Sequence, residues 1–131
     1  MPTIQSTYEM NASPEEVFDA LVNPDTIQIW SGDEAKMSAD VGANFQLWSG
    51  QMFGINLEVV KNKKLVQQWN YTEWTEPSKV TLTIKPKGKK TIVELLHEYV
   101  PEKSLKSIEQ GWNDYYLGSM QEMFDERKLV K

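Results

Sequence analysis

The C-terminal segment constrains the fold of this chain most, because it predicts one long helix with a single apolar side. Over residues 104–127 the large apolar side chains recur at helical spacing and therefore share a face. These side chains are Leu105, Ile108, Trp112, Tyr116, Met120 and Met123. Most of the stability of such a helix comes from packing its apolar face, so the rest of the chain must supply a surface that covers it.

The middle of the chain predicts that surface. Between residues 34 and 100, short strand-forming runs alternate with turn residues, which is the pattern of an antiparallel meander. Within three runs the side chains that should share a face are Phe53, Ile55, Leu57 and Val59; Leu65, Gln67, Trp69 and Tyr71; and Val80, Leu82 and Ile84. The sheet is therefore expected to have one apolar face, against which the long helix packs.

The N-terminal region predicts one strand followed by two short helices. Residues 3–11 suit a strand, and the run from Ser13 to Glu16 has the capping serine, the proline and the glutamate that begin a helix. A second short helix is expected to end near Trp30. We therefore expect an α+β fold with a curved antiparallel sheet and the long helix across its concave face. With 131 residues, one domain over 1–131 is expected.

Composition excludes several classes of function. The net charge of −5 argues against a nucleic-acid partner, and the absence of cysteine excludes disulfides and thiolate-ligated metals. A single histidine excludes a histidine metal cluster, so neither a metal nor another cofactor is expected. Met1 to Ser6 lacks the basic start and apolar middle of a signal peptide, and no apolar run approaches about 18 residues, so we expect a cytoplasmic protein without membrane insertion. No catalytic motif is present, which favours a non-enzymatic protein.

Two titratable residues are candidates for a site. His97 should alternate with Val93 and Leu95 and point inward, either as a hydrogen-bonded interior histidine or as a contact for a ligand. Glu109 falls inside the apolar arc of the long helix. It either finds a buried partner such as His97 or reaches solvent near the helix start.

Aromatic residues are abundant in the elements that should surround the interior. They either fill a core or line a cavity for an apolar or planar molecule. In the cavity interpretation the ligand-binding residues are Trp48, Phe53, Trp69, Tyr71, His97, Glu109, Trp112, Tyr116 and Met120.

Lysines cluster at two predicted hairpin tips. Residues 61–64 and 85–90 hold seven of the fourteen basic residues, and both tips should project from one end of the sheet. They either keep the hairpins soluble or form a docking surface for an acidic protein, in which Lys87, Lys89 and Lys90 would take part.

Several stretches, in order and over about residues 5 to 125, resemble the START-like SRPBCC superfamily. Within it, the chain is similar to stand-alone domains homologous to the C-terminal part of the activator of the heat-shock protein 90 ATPase. The resembling residues are Ser13 to Phe18 with Leu21 and Trp30; Gly42 with Phe45; Gly50 with Gly54; Leu65 to Trp69; Leu96 to Glu98; and Gly111, Trp112, Tyr116 and Leu117. Gly42 is followed by Ala43, where the family usually has a second glycine.

The resemblance implies a helix-grip fold and three possible functions. The leading expectation is a non-enzymatic bacterial domain that binds a small apolar, lipid-like or aromatic molecule between sheet and helix. The first alternative is a chaperone-interaction module in a stress response, although such co-chaperones resemble two-domain proteins. The second alternative is a small cyclase or hydrolase that uses His97 with Glu109.

Overall fold

The N-terminal strand and the two helices after it form as the sequence predicts. The computed structural model describes residues 2–129, beginning with strand β1 (Ile4–Met10) and helices α1 (Pro14–Val22) and α2 (Pro24–Ser31). The α1 capping box is complete, since the Glu16 amide donates to the Ser13 hydroxyl and the Ser13 amide donates to the Glu16 carboxylate. None of the helices within the described residues is long and apolar enough to span a bilayer.

Six antiparallel strands form one sheet. The later strands are β2 (Asn44–Leu47), β3 (Met52–Val60), β4 (Lys64–Tyr71), β5 (Ser78–Lys87) and β6 (Lys90–Glu98). Their spatial order is β1-β6-β5-β4-β3-β2, so the N-terminal strand joins the last strand of a meander. This order, with the two helices after β1 and the C-terminal helix over the sheet, confirms the helix-grip fold that the sequence predicted.

The C-terminal helical segment is continuous but changes geometry in its middle. A short 3₁₀ turn (Glu102–Ser104) leads into α3 (Leu105–Gly111), a π-helical turn (Trp112–Tyr116) and α4 (Leu117–Leu129). Buried side chains lie four residues apart, at Trp112, Tyr116, Met120 and Phe124. In a regular α-helix each step of four overshoots a full turn by about 40°, and the wider π turn absorbs part of that overshoot.

Strand β3 differs from the sequence prediction in the face that it buries. Met52, Gly54 and Asn56 point into the core, whereas Phe53 and Leu57 are exposed on the outer face. The pairing with β4 shifts between Asn56 and Glu58, which is a β-bulge, and apolar residues occupy both faces of the strand. Alternation therefore could not identify the inner face, and the prediction that Phe53, Ile55 and Leu57 face the helix is wrong.

Gly118 is required by the π turn. A Cβ at this position would lie 1.7 Å from the Asn113 carbonyl oxygen, which is backbone and has little room to move. At Gly111, seven residues earlier in the same helical segment, an added Cβ meets nothing within 4 Å.

We therefore predict opposite effects from two identical substitutions. Gly118→Ala should lower the free energy of unfolding by about 1–3 kcal/mol, because the backbone must shift to admit the methyl group. Gly111→Ala should raise it by about 0.5–1 kcal/mol, because alanine loses less backbone entropy in a helix. Urea denaturation of both variants measures the difference, and equal stabilities would mean that the π turn does not depend on Gly118.

Candidate functional site

A pocket of about 660 Å³ opens between the sheet and the C-terminal helical segment. It lies at the end of the sheet that carries the β2–β3 turn, opposite the β3–β4 and β5–β6 hairpins. It forms because α3 contributes no fully buried side chain, whereas the π turn and α4 pack closely on the sheet. Its lining comprises Ser31, Asp33, Trp48, Ser49, Gln51, Trp69, Tyr71, Ser107, Ile108, Gly111, Trp112, Tyr115 and Tyr116.

The inner wall of the pocket consists of packed aromatic rings. Trp69 of β4 and Trp112 of the π turn stack with ring centroids 4.7 Å apart and an interplanar angle of 19°. Tyr116 lies 4.5 Å from Trp112 and 5.7 Å from Trp69 between ring centroids. All three side chains are at most 3% exposed, so the π turn and the central strand bring them together in the interior.

A row of buried amides holds Trp69 in place. The Trp69 indole donates to the Gln67 side-chain oxygen at 2.8 Å, and the Gln67 amide donates to the Asn56 oxygen at 2.9 Å. The Asn56 amide then donates to the backbone carbonyls of Ser38 and Asp40. Since each of these interior side chains has a partner, the row fixes the indole plane without an unpaired polar group.

His97 lies behind the aromatic wall, pointing inward as predicted. The Trp112 indole donates to His97 Nδ1 at 3.0 Å, which places the imidazole proton on Nε2. His97 Nε2 then donates to the Ser78 hydroxyl at 2.8 Å, and that hydroxyl donates to the Trp69 carbonyl. Both ring nitrogens are therefore occupied, and burial lowers the pKa of His97 to about 3.

The two predicted titratable residues do not form a pair. Glu109 is exposed to solvent and does not line the pocket, so of its two interpretations the solvent-facing one is correct. His97 has Trp112 and Ser78 as partners, both uncharged. The cyclase or hydrolase alternative required His97 next to Glu109, and the structure does not bring them together.

The structure gathers five of the nine predicted ligand-binding residues around the pocket: Trp48, Trp69, Tyr71, Trp112 and Tyr116. Binding of a ligand by these five remains a prediction. His97 lies behind the wall, Met120 is fully buried in the core, and Phe53 is on the outer face of β3. Met120 is absent from the lining because α4 packs directly on the sheet, beyond the splayed α3.

The pocket rim contains residues that sequence reasoning missed. They come from three places: the end of α2, the β2–β3 turn and the first turns of the C-terminal helical segment. They are Ser31, Asp33, Ser49, Gln51, Ser107, Ile108, Gly111 and Tyr115. Ser49, Gly50 and Gln51 are typical turn residues, but only the folded sheet brings them to the same pocket as α3.

Trp48 forms a side wall on a turn with unusual backbone geometry. Trp48 and Ser49 have φ angles of 50° and 59°, consecutive left-handed conformations that non-glycine residues rarely adopt. The Trp48 ring is half-buried and meets Tyr116 edge-on, with ring centroids 6.1 Å apart. Strained backbone of this kind concentrates at functional sites, so it supports a role for this turn at the pocket.

The two lysine-rich hairpins project from one end of the sheet, as predicted. The Ile84 amide donates to the Lys63 carbonyl at 2.8 Å, which ties the β3–β4 hairpin to the β5–β6 hairpin. Acids from neighbouring strands reduce the charge there: Glu9 pairs with both Lys87 and Lys90. Lys89 is exposed and forms no ion pair with any side chain that the structure describes. We call this surface, residues 61–64 and 85–90, the lysine pole.

Comparison with known proteins identifies one family. The family profile described as "Activator of Hsp90 ATPase homolog 1-like protein" matches residues 11–125. The activator of 90 kDa heat shock protein ATPase homolog of Dictyostelium discoideum is 26% identical over 125 residues. The human homolog 1 is 26% identical over 128 residues. These alignments cover 93% and 95% of this chain but 33% and 38% of the relatives, so the chain spans about a third of their length.

Solved structures show the same fold. An HSP90 activator from Plasmodium falciparum is 28% identical, with a TM-score of 0.85 over 92% of this chain and 94% of that chain. CalU16 from Micromonospora echinospora is 29% identical, with a TM-score of 0.78 over 90% of this chain and 74% of that chain.

The His97 environment predicts a pH dependence of stability. Because the folded pKa is about 3 and the unfolded value about 6.5, the unfolded state alone binds a proton between these pH values. The contribution of His97 to the free energy of unfolding is fully present above pH 6.5 and is lost as the pH falls toward 3. Between pH 7.5 and pH 5 the free energy of unfolding should fall by about 2 kcal/mol.

The variant His97→Gln isolates this effect, because the chain has no other histidine. Glutamine can accept from Trp112 and donate to Ser78, and it does not titrate. Urea denaturation at several pH values should show a flat profile for the variant over the same range. A slope as steep as that of the wild type would mean that His97 is not the titrating group.

Proposed function

The chain belongs to the activator of Hsp90 ATPase homolog 1-like family, and from the pocket that it carries we propose a non-enzymatic domain that binds a small, largely apolar molecule. The observation that carries this proposal is the buried aromatic wall of Trp69, Trp112 and Tyr116 beside an open volume of about 660 Å³. Small-molecule sites typically have volumes of roughly 300–1,000 Å³ with mostly apolar linings and a few polar groups.

The incomplete packing of α3 supports the same function. Leu105 and Ile108 remain half-buried, whereas the aromatic residues of the following π turn are almost fully buried. A bound molecule would cover the half-buried side chains of Ile108, Trp48 and Tyr71 in the pocket lining. Removal of that apolar area from water would provide the driving force for binding.

The test uses the neutral fluorescent probe 1-N-phenylnaphthylamine. We expect saturable binding, with stabilisation of about 2.7 kcal/mol at a free probe concentration of 100 times the Kd. Trp48→Ala should weaken binding about five- to tenfold, because it removes one aromatic side wall. Calorimetric titration and the shift in Tm measure these effects.

Phe53→Ala is the matched control. It also truncates a partly exposed aromatic residue, but on the outer face of the sheet. Its affinity for the probe should equal that of the wild type. If Phe53→Ala weakens binding as much as Trp48→Ala, or if the wild type binds no probe, the pocket is not a binding site.

A second function, docking on a chaperone of the Hsp90 type in the cytoplasm, is supported by the relatives of this chain. The relatives from Dictyostelium discoideum and Homo sapiens are named as activator homologues, and the Plasmodium falciparum structure as an activator. The lysine pole offers a surface for an acidic partner protein, with Lys87, Lys89 and Lys90 at its tip. It lies at the end of the sheet opposite the pocket, so the two functions are compatible.

An ATPase assay with the host's own 90-kDa heat-shock chaperone tests this second function. We expect the wild type to bind the chaperone and change its ATPase rate. Reversal of Lys87, Lys89 and Lys90 to glutamate should slow association about tenfold or more at low salt, because it removes electrostatic attraction. Trp48→Ala should leave this interaction unchanged. Absence of both binding and rate change for the wild type would refute chaperone docking.

A further inference from the structure

Resting on the proposed pocket function, we infer that the bound molecule is a planar, non-anionic aromatic compound whose hydrogen-bond acceptor pairs with the Tyr116 hydroxyl. Three observations narrow the ligand to this class: an unpartnered hydroxyl in the inner wall, flat aromatic surfaces around it, and the charge of the lining.

The Tyr116 hydroxyl is the unsatisfied polar group of the interior. The Tyr116 side chain is 1% exposed, and its oxygen has no hydrogen-bond partner among the residues that the structure describes. Other buried polar side chains of the interior, including Gln67, Asn56 and His97, have partners. A buried hydroxyl without a hydrogen-bond partner pays a desolvation penalty, so a molecule that supplies a partner is bound more tightly than one that does not.

None of the rings around Tyr116 can accept the hydrogen of its hydroxyl. Trp30, Trp48, Trp69 and Trp112 surround it, and an indole N–H is a donor with no acceptor. The Trp30 indole donates to the Ala20 carbonyl, and those of Trp69 and Trp112 donate to Gln67 and His97. Burial raises the pKa of Tyr116 above its usual value, which keeps the hydroxyl protonated as a donor. The missing group is therefore an acceptor.

Entry to this hydroxyl leads past Trp48. The Trp48 ring contacts Tyr116 edge-on, is half-buried, and is attached to the turn with consecutive left-handed residues. A flat molecule that enters beside this ring would stack against it and reach the hydroxyl. The rings of Trp69 and Trp112, stacked at 19°, form a flat packed wall, against which a planar molecule makes more contact than a non-planar one. Planarity therefore follows from the shape of the wall.

The lining disfavours an anion. Asp33 is the charged residue among the lining residues, which include no lysine, arginine or histidine. Nothing in this lining would neutralise a carboxylate or phosphate removed from water, and Asp33 would repel it. The inferred ligand class is thus neutral or cationic aromatic molecules, and it excludes fatty acids.

The experiment compares 9-fluorenone with fluorene, which has the same planar frame without the carbonyl acceptor. Calorimetric titration should give the wild type a roughly fivefold lower Kd for fluorenone than for fluorene. In Tyr116→Phe the two probes should bind equally, with fluorene bound as well as by the wild type. The Tm of unliganded Tyr116→Phe should match or exceed that of the wild type, since the variant removes an unsatisfied group.

Five outcomes separate the inference from the proposed function. If neither probe binds to the wild type, the pocket function itself fails. If both bind the wild type equally, or if the preference for fluorenone persists in Tyr116→Phe, the pocket stands and the role of Tyr116 is refuted. A lower Tm for Tyr116→Phe would show that the hydroxyl already has a partner, which also overturns it. Finally, 9-fluorenone-4-carboxylate should bind at least threefold more weakly than fluorenone, and equal binding would refute the charge argument.

Discussion

The hydrogen bond from the Trp112 indole to His97 joins the C-terminal helical segment to the centre of the sheet, and the rest of the interior depends on it. It determines the imidazole tautomer, so that His97 donates to Ser78 of β5 and Ser78 donates to the Trp69 carbonyl of β4. Three strands and the π turn are thereby connected through one uncharged network. Because each donor has an acceptor, the network specifies the position of the helix without placing a charge in the core.

The pocket forms before Trp112, where the helical segment is no longer held to the sheet by this hydrogen-bond network. From Trp112 onward the helix contacts the sheet closely, and Gly118 lets the π turn keep Trp112 and Tyr116 on the inner side. Before Trp112, α3 has no such attachment and its apolar side chains remain partly exposed. The structure thus combines a closely packed aromatic wall with an open pocket beside it.

Periodicity predicted the helices and strands of this fold. It did not predict the β-bulge and the π turn, where one extra residue interrupts the regular pattern. The capping box at Ser13 and the inward face of His97 were evident, because local chemistry and period-two alternation suffice for them. The β-bulge after Asn56 and the apolar residues on both faces of β3 concealed that Phe53 points outward. The π turn likewise changes which helix residues face the sheet, so that Phe124 is buried and Met123, predicted to face the sheet, is only half-buried. Rim residues such as Asp33 and Ser49 are brought together only by the tertiary fold.

For a buried polar group, whether its hydrogen bonds are formed indicates function better than its residue type does. His97 and Tyr116 illustrate this. Both contact Trp69 and Trp112 in the same aromatic cluster, and the sequence drew attention first to the single histidine. Yet every hydrogen-bonding atom of the imidazole is already used within the fold, whereas the tyrosine hydroxyl has no partner among the described residues. A satisfied group stabilises the structure that contains it. An unsatisfied one lowers the stability of the free protein, so under the proposed function the chemistry of the ligand is inferred from Tyr116.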